Sequence, residues 1–165
     1  MKKNKIFAVV GRSGSGKTTL IINLIHYFKT KGQSVSIIKS THHDFEFDYP
    51  GKDTHMLKVS GAKSVAAFND KKLGFVTDVN EEMNAVDVAE KYFKDSDMVI
   101  IEGNKKYSVV KIEVIGDSVE NPLFSSGTEN IKMLVTDKKI DTSLPVFTRN
   151  DIEGIAAWIE ENFLK

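Results

Sequence analysis

The chain reads as an α/β protein, a mostly parallel central sheet flanked by helices. Two observations predict it. Short continuous apolar runs alternate with stretches of helical periodicity, the pattern of strands layered against helices. A glycine-rich turn, Gly11 to Thr18, also stands between the first apolar run and the first amphipathic stretch.

The elements follow in order. Ile6-Phe7-Ala8-Val9-Val10 is apolar throughout, as a strand buried on both faces must be. Residues 17–31 predict a helix, because Leu20, Leu24 and Phe28 recur every four residues with Ile21 and Ile25 beside them. Gly32 suits its left-handed C-terminal cap. Val35 to Lys39 predicts a second strand, and a polar stretch rich in His and Asp runs from Ser40 to Asp53. Ser64 to Phe68 and Gly74 to Val79 predict short strands, and Val86 to Phe93 a helix. Met98 to Ile101 is a further apolar strand, closed by Glu102-Gly103. Val109 to Ile115 alternates, with Lys111 and Glu113 on one face. Lys132 to Val135 and Leu144 to Phe147 complete the strands. In the C-terminal helix Ile152, Ile155, Ala156, Ile159 and Phe163 form the apolar stripe, with Asn150 as cap and Glu153 completing a capping box.

Composition bounds the rest. A length of 165 residues with 41% hydrophobic content predicts one domain, residues 1–165, with a real core. Lys+Arg and Asp+Glu are each 23, so net charge gives no reason to expect nucleic acid or an anionic membrane as partner. The absence of cysteine excludes a disulfide scaffold, an iron–sulfur cluster and a thiolate zinc site within one chain. No apolar run approaches the ~20 residues of a membrane span. The basic start Met1 to Lys5 with Ile6 to Val10 mimics a signal peptide, but the apolar stretch ends at Gly11. The expectation is a soluble cytoplasmic protein.

Gly11-Arg12-Ser13-Gly14-Ser15-Gly16-Lys17-Thr18 matches G-x-x-x-x-G-K-[ST] at every fixed position, with a strand before it and a helix after. Phosphate oxygens need several donors converging on a small volume. Backbone N–H groups supply them where glycines let the loop wrap tightly, and the helix N-terminus adds its positive end. Lys17 can reach the β- and γ-phosphates, and the Thr18 hydroxyl can ligate Mg²⁺. The fold predicted is therefore the three-layer P-loop NTPase fold, binding a nucleoside triphosphate with Mg²⁺. A glycine turn that binds nothing is the alternative.

Ligands in open α/β sheets lie outside the carboxyl ends of the strands, so acids there are candidates. Glu102 can hold Mg²⁺ through water or polarise the attacking water, or be a solvated strand end. In His42-His43-Asp44-Phe45-Glu46-Phe47-Asp48, extended backbone places Asp44, Glu46 and Asp48 on one side. Asp44 is a candidate to orient water and Asp48 a candidate metal ligand. His42 and His43 can bind a transition metal only across a sharp turn; a polar loop is the simpler reading. His26 is expected at the helix surface, and no spacing nominates His55.

Five segments occur in this order: Gly11 to Thr19, Ile38 to Asp44, Pro50-Gly51-Lys52-Asp53-Thr54, Ile101-Glu102-Gly103 and Lys111-Ile112-Glu113-Val114. In them the chain resembles the MobB family, the molybdopterin-guanine dinucleotide biosynthesis adaptors, over nearly its whole length. Asn104, Val110 and Gly116 stand where that family usually has a bulky residue, Pro and Arg. The resemblance implies a GTP-binding homodimer, related to the signal-recognition and nitrogenase-iron-protein class of phosphate-loop folds. It implies an accessory role beside the guanylyltransferase (MobA-like) that joins GMP to molybdopterin, with molybdopterin a candidate ligand. Weak GTP hydrolysis is the expected activity. The phosphate-loop residues, with Thr19, would hold the nucleotide.

Guanine would be read by an aspartate accepting from its N1–H and 2-amino group. The motif N-K-x-D is absent. Asp137, closing Leu134-Val135-Thr136-Asp137, is the favoured reader, and Asp151 in Thr148-Arg149-Asn150-Asp151 the second. A small-molecule kinase on the same fold is disfavoured, because Arg12 and Arg149 are the only arginines and phosphoryl-transfer lids need them. A metal-delivery GTPase is the other rival, resting on His42 and His43.

Overall fold

The computed structural model describes residues 5–41, 43–79, 83–103 and 108–163. The chain forms two compact units, Met1–Thr41 with Asn84–Lys165, and His42–Met83.

The first unit contains six strands: β1 (Lys5–Val10), β2 (Val35–Lys39), β5 (Met98–Glu102), β6 (Lys111–Val114), β7 (Ile131–Val135) and β8 (Val146–Phe147). They lie in the order β2-β5-β1-β6-β7-β8, and all pairings are parallel. Its helices are α1 (Lys17–Thr30), α3 (Ala85–Tyr92) and α4 (Ile152–Phe163), with a 3₁₀ turn at Phe124–Ser126. The second unit holds α2 (Asp53–Val59) and the antiparallel pair β3 (Ser64–Phe68) and β4 (Leu73–Thr77).

Strand alternation divides the core into two layers. Phe7 and Val9 of β1 face one way, with Leu24 and Phe28 of α1 and Ile155 and Ile159 of α4. Ala8 and Val10 face the other, with Ala85 of α3, Leu123 and Leu134. Each such fully buried large side chain contributes roughly 1.5–3 kcal/mol. Helices on both faces of a parallel sheet make this the expected P-loop NTPase architecture.

Local chemistry sets the helix ends. After α1, Gly32 N–H donates to Lys29 O and Gln33 N–H to Phe28 O, the paired bonds of a Schellman stop. Asn84 caps α3, accepting from Val86 and Asp87 N–H while the Asp87 carboxylate accepts from Asn84 N–H. At α4 the expectation of Asn150 as cap is corrected. Asp151 Oδ1 accepts from Gly154 N–H at 3.0 Å, three residues on, and so does the capping.

The sequence gives no signal for α2, because its two turns bury no residue and carry no apolar stripe. In β6, Lys111 and Glu113 are only 1% exposed. Lys111 Nζ donates to the Val109 and Glu129 carbonyls at 3.3 and 3.0 Å, and its burial holds its pKa below the ordinary lysine value. Glu113 accepts from the N–H groups of Leu123 and Phe124 at 2.6 and 2.9 Å. Among the described residues no helix is long and apolar enough to cross a membrane.

Candidate functional site

The topology places a switch point at β1. The chain leaves β1 for β2 at one edge, returns to β5 on one side of β1, and passes to β6 on its other side. Crevices at such points, beyond the carboxyl ends of parallel strands, are where α/β sheets bind ligands. Residues 11–16 occupy this position, between the end of β1 and the start of α1.

Packing explains the composition of the loop. Gly11 is buried with φ +150°, and a Cβ there would collide with the Val114 carbonyl oxygen and stand 2.7 Å from Ser15 Oγ. Gly14 and Gly16 also have positive φ, 71° and 97°. Gly116 lies against the loop: a Cβ there would stand 3.1 Å from Ser15 Cα. Ser15 itself is buried, and its hydroxyl has no hydrogen-bond partner among the described residues.

Lys17, Thr18 and Thr19 form the first turn of α1. Lys17 Nζ donates to the Arg12 carbonyl at 2.8 Å. Glu102 ends β5 beside Val9, and its Oε1 accepts from Thr18 Oγ1 at 3.1 Å. The next residue, Gly103, has φ +101°, and a Cβ there would come within 2.9 Å of Ser40 O. The Glu-Gly pair thus has two reasons: a carboxylate aimed at Thr18, then a residue small enough to pass beneath β2's end.

Asp44 and Asp48 lie in the second unit. Asp48 is held below the usual carboxylate value, first by the Thr54 side-chain hydrogen bond and then by the Tyr49 N–H, which reaches Asp48 Oδ1 at 2.9 Å. His42 and Asn104 lie outside the described residues. Among the described residues no three His, Asp or Glu cluster closely enough to hold a metal. His26 is exposed on α1, as expected.

Asp137 stands two residues beyond β7, on the same side of the sheet as the phosphate loop. Arg149, two residues beyond β8, grips it: the Arg149 N–H reaches Asp137 Oδ1 at 3.1 Å and its Nε reaches Oδ2 at 2.6 Å. These bonds, the backbone one foremost, hold the Asp137 carboxyl below its ordinary pKa. The Arg149 guanidinium also binds both oxygens of Asp117, at 2.7 and 2.8 Å. Sequence reasoning named Asp137 but missed Asp117. The one available signal was that Arg149 is one of two arginines in the chain. Asp151 is turned to capping α4.

Comparison with known proteins agrees with this geometry. The family model described as "MobB: Molybdopterin guanine dinucleotide synthesis protein B" matches residues 6–137. The chain is 28% identical over 160 residues to the molybdopterin-guanine dinucleotide biosynthesis adapter protein of Escherichia coli, covering 94% of this chain and 91% of that one. It is 34% identical over 131 residues to a putative adapter of the same description from Methanocaldococcus jannaschii, covering 77% and 54%. A crystal structure of molybdopterin-guanine biosynthesis protein B superposes with a TM-score of 0.78 at 30% identity, covering 94% of this chain and 98% of the other. The Bacillus subtilis MobB structure, at 22% identity and a TM-score of 0.75 over 95% and 97%, shares the fold. With a phosphate loop at the switch point, a family match across most of the chain and a matching fold, this protein belongs to the MobB family.

Proposed function

We propose that this protein binds GTP with Mg²⁺ and serves as an accessory factor in molybdopterin guanine dinucleotide synthesis, beside the guanylyltransferase of that pathway. The observation that carries the nucleotide reading is the loop at the end of β1, closed by Gly11 against Val114 and opening into α1 at Lys17 and Thr18. The names of the relatives support the pathway.

The loop N–H groups and the α1 N-terminus would bind the phosphate oxygens, and Lys17 would move from the Arg12 carbonyl to the β- and γ-phosphates. Thr18 Oγ1 and Glu102 Oε1, 3.1 Å apart, are hard oxygen donors of the kind Mg²⁺ takes, and they are the residues that would hold it. Bound there, the ion would neutralise charge on the phosphates. Glu102 is also proposed as the group that orients water. Asp137 is proposed to read guanine.

The oligomer proposed is a homodimer joined through the second unit. A two-stranded hairpin is marginal alone, yet this one carries Phe68 at 84% and Leu73 at 69% exposed, beside Phe47 at 81%. An apolar cavity of about 440 Å³ opens among Phe45, Phe47, Val59, Val65 and Phe75. A twofold axis can bring these exposed apolar side chains against their copies.

Calorimetric titration with GTP and ATP in the presence of Mg²⁺ tests the proposal. Saturable binding with GTP preferred is expected; the absence of binding to either nucleotide would refute it. Sedimentation of the same protein should show a dimer.

A further inference from the structure

Arg149, Asp117 and Asp137 close three neighbouring strands, β8, β6 and β7, at their carboxyl ends. Each position alone is an ordinary loop residue. Together they form a chain of charge-assisted bonds in which one guanidinium serves two carboxylates. The loop 116–121 is also tied at two further points: Lys138 Nζ donates to Val119 O at 3.0 Å, and Arg12 Nε donates to Asn121 O at 3.2 Å. Segments following β1, β7 and β8 thus all hold this loop. Beside it, Arg12, Ser13 and residues 118–121 line an open depression of about 460 Å³.

A nucleotide with its phosphates at the end of β1 must lay its sugar and base along the sheet's carboxyl edge. β7 is two strands from β1, about 10 Å at ordinary strand spacing, the reach of a nucleoside. The intervening β6 is followed by the depression and by Asp117. A base laid in that direction comes to the carboxyl end of β7, where Asp137 stands.

We propose that Arg149 is a positioning residue for guanine recognition: it fixes the Asp137 carboxylate to face the base, and Asp117 in turn fixes Arg149. An ionised carboxylate has about four acceptor sites. Arg149 takes one on each Asp137 oxygen, through its N–H and its Nε. One site on each oxygen is left, matching the two adjacent donors of guanine, N1–H and the 2-amino group. Adenine offers no such pair on that edge, so a fixed, ionised Asp137 favours GTP. A carboxylate free to rotate would lose the paired geometry. The proposal rests on the GTP reading above and names what enforces it.

The test is calorimetric titration of the full-length protein with GTP, ATP and xanthosine triphosphate, all with Mg²⁺. In the wild type GTP should be preferred. Arg149→Gln and Asp117→Asn should each weaken GTP binding about tenfold while leaving ATP affinity unchanged. General damage to the phosphate loop would weaken both nucleotides alike, so the GTP/ATP ratio is the diagnostic readout. Asp137→Asn should reverse the preference from GTP to xanthosine triphosphate, because an amide can donate to the 2-oxo group. If Arg149→Gln fails to fold, Asp117→Asn still decides, being isosteric at an exposed site. An unchanged GTP/ATP ratio in Asp117→Asn and in folded Arg149→Gln, with the wild type preferring GTP, overturns this inference alone. A wild type that binds both nucleotides equally overturns the guanine reading itself.

Discussion

Lys17 has its ammonium folded back onto the Arg12 carbonyl, 2.8 Å away, at the mouth of its own loop. Exchange of that neutral acceptor for phosphate replaces a bond to a carbonyl dipole with bonds between opposite full charges. Lys17→Ala should therefore lower GTP affinity at least about 100-fold, equivalent to about 2.7 kcal/mol, with an unchanged thermal melting curve. Retained affinity in calorimetry would remove Lys17 from phosphate binding. Glu113 presents the opposite case. Beside Val10 at the switch point it resembles a site acid, but both its oxygens serve the N–H groups of Leu123 and Phe124. Glu113→Ala should cost about 3 kcal/mol in denaturant unfolding, since it orphans two backbone donors held by a carboxylate. A loss under about 1 kcal/mol would show that water replaces the carboxylate.

Within the phosphate-loop element, two glycines differ in what surrounds them. Gly11 has no room for a side chain, because the Val114 carbonyl and Ser15 Oγ fill the space. Gly14 has positive φ but nothing within 4 Å of an added Cβ. Gly14→Ala should thus cost only the left-handed strain of about 1–2 kcal/mol. Gly11→Ala must displace the loop from β6, and should abolish nucleotide binding along with a larger stability loss. Equal effects of the two substitutions on melting temperature and on GTP affinity would contradict this packing account. The same packing argument covers Gly103, whose nearest obstacle is the Ser40 carbonyl of the chain leaving β2.

For the whole molecule, the decisive count is of arginines. Transition-state charge in phosphoryl transfer is commonly met by an arginine worth on the order of 10³–10⁵ in rate. Both arginines here are bound by their own chain, Arg12 to Asn121 O and Arg149 to Asp117 and Asp137. The isolated protein should hydrolyse GTP at about 10⁻³ s⁻¹ or slower, with turnover per chain independent of protein concentration and unchanged by Arg12→Ala. Turnover that rises with concentration and falls in Arg12→Ala would mean that Arg12 leaves Asn121 to serve a neighbouring copy. Rapid hydrolysis by dilute monomer would contradict an accessory role altogether.

Sequence by itself determined the sheet-and-helix architecture, the place of the glycine-rich loop after β1 and the strand end at Glu102. These signals are local or periodic: Ile6 to Val10, the stripe Leu20-Leu24-Phe28 and the spacing Gly11 to Thr18 each carry their meaning within a few residues. Sequence did not reveal α2, whose two turns are too short for a period, nor that Asp151 rather than Asn150 caps α4. It could not show that Lys111 and Glu113 are buried, because alternation fixes a face but not what covers it. The link between Asp117, Asp137 and Arg149 was likewise hidden. Those residues lie 12 to 32 positions apart, and only the parallel order of β6, β7 and β8 brings their carboxyl ends side by side. Side-chain chemistry is written along the chain, whereas the pairing of distant charges is decided by which strands become neighbours.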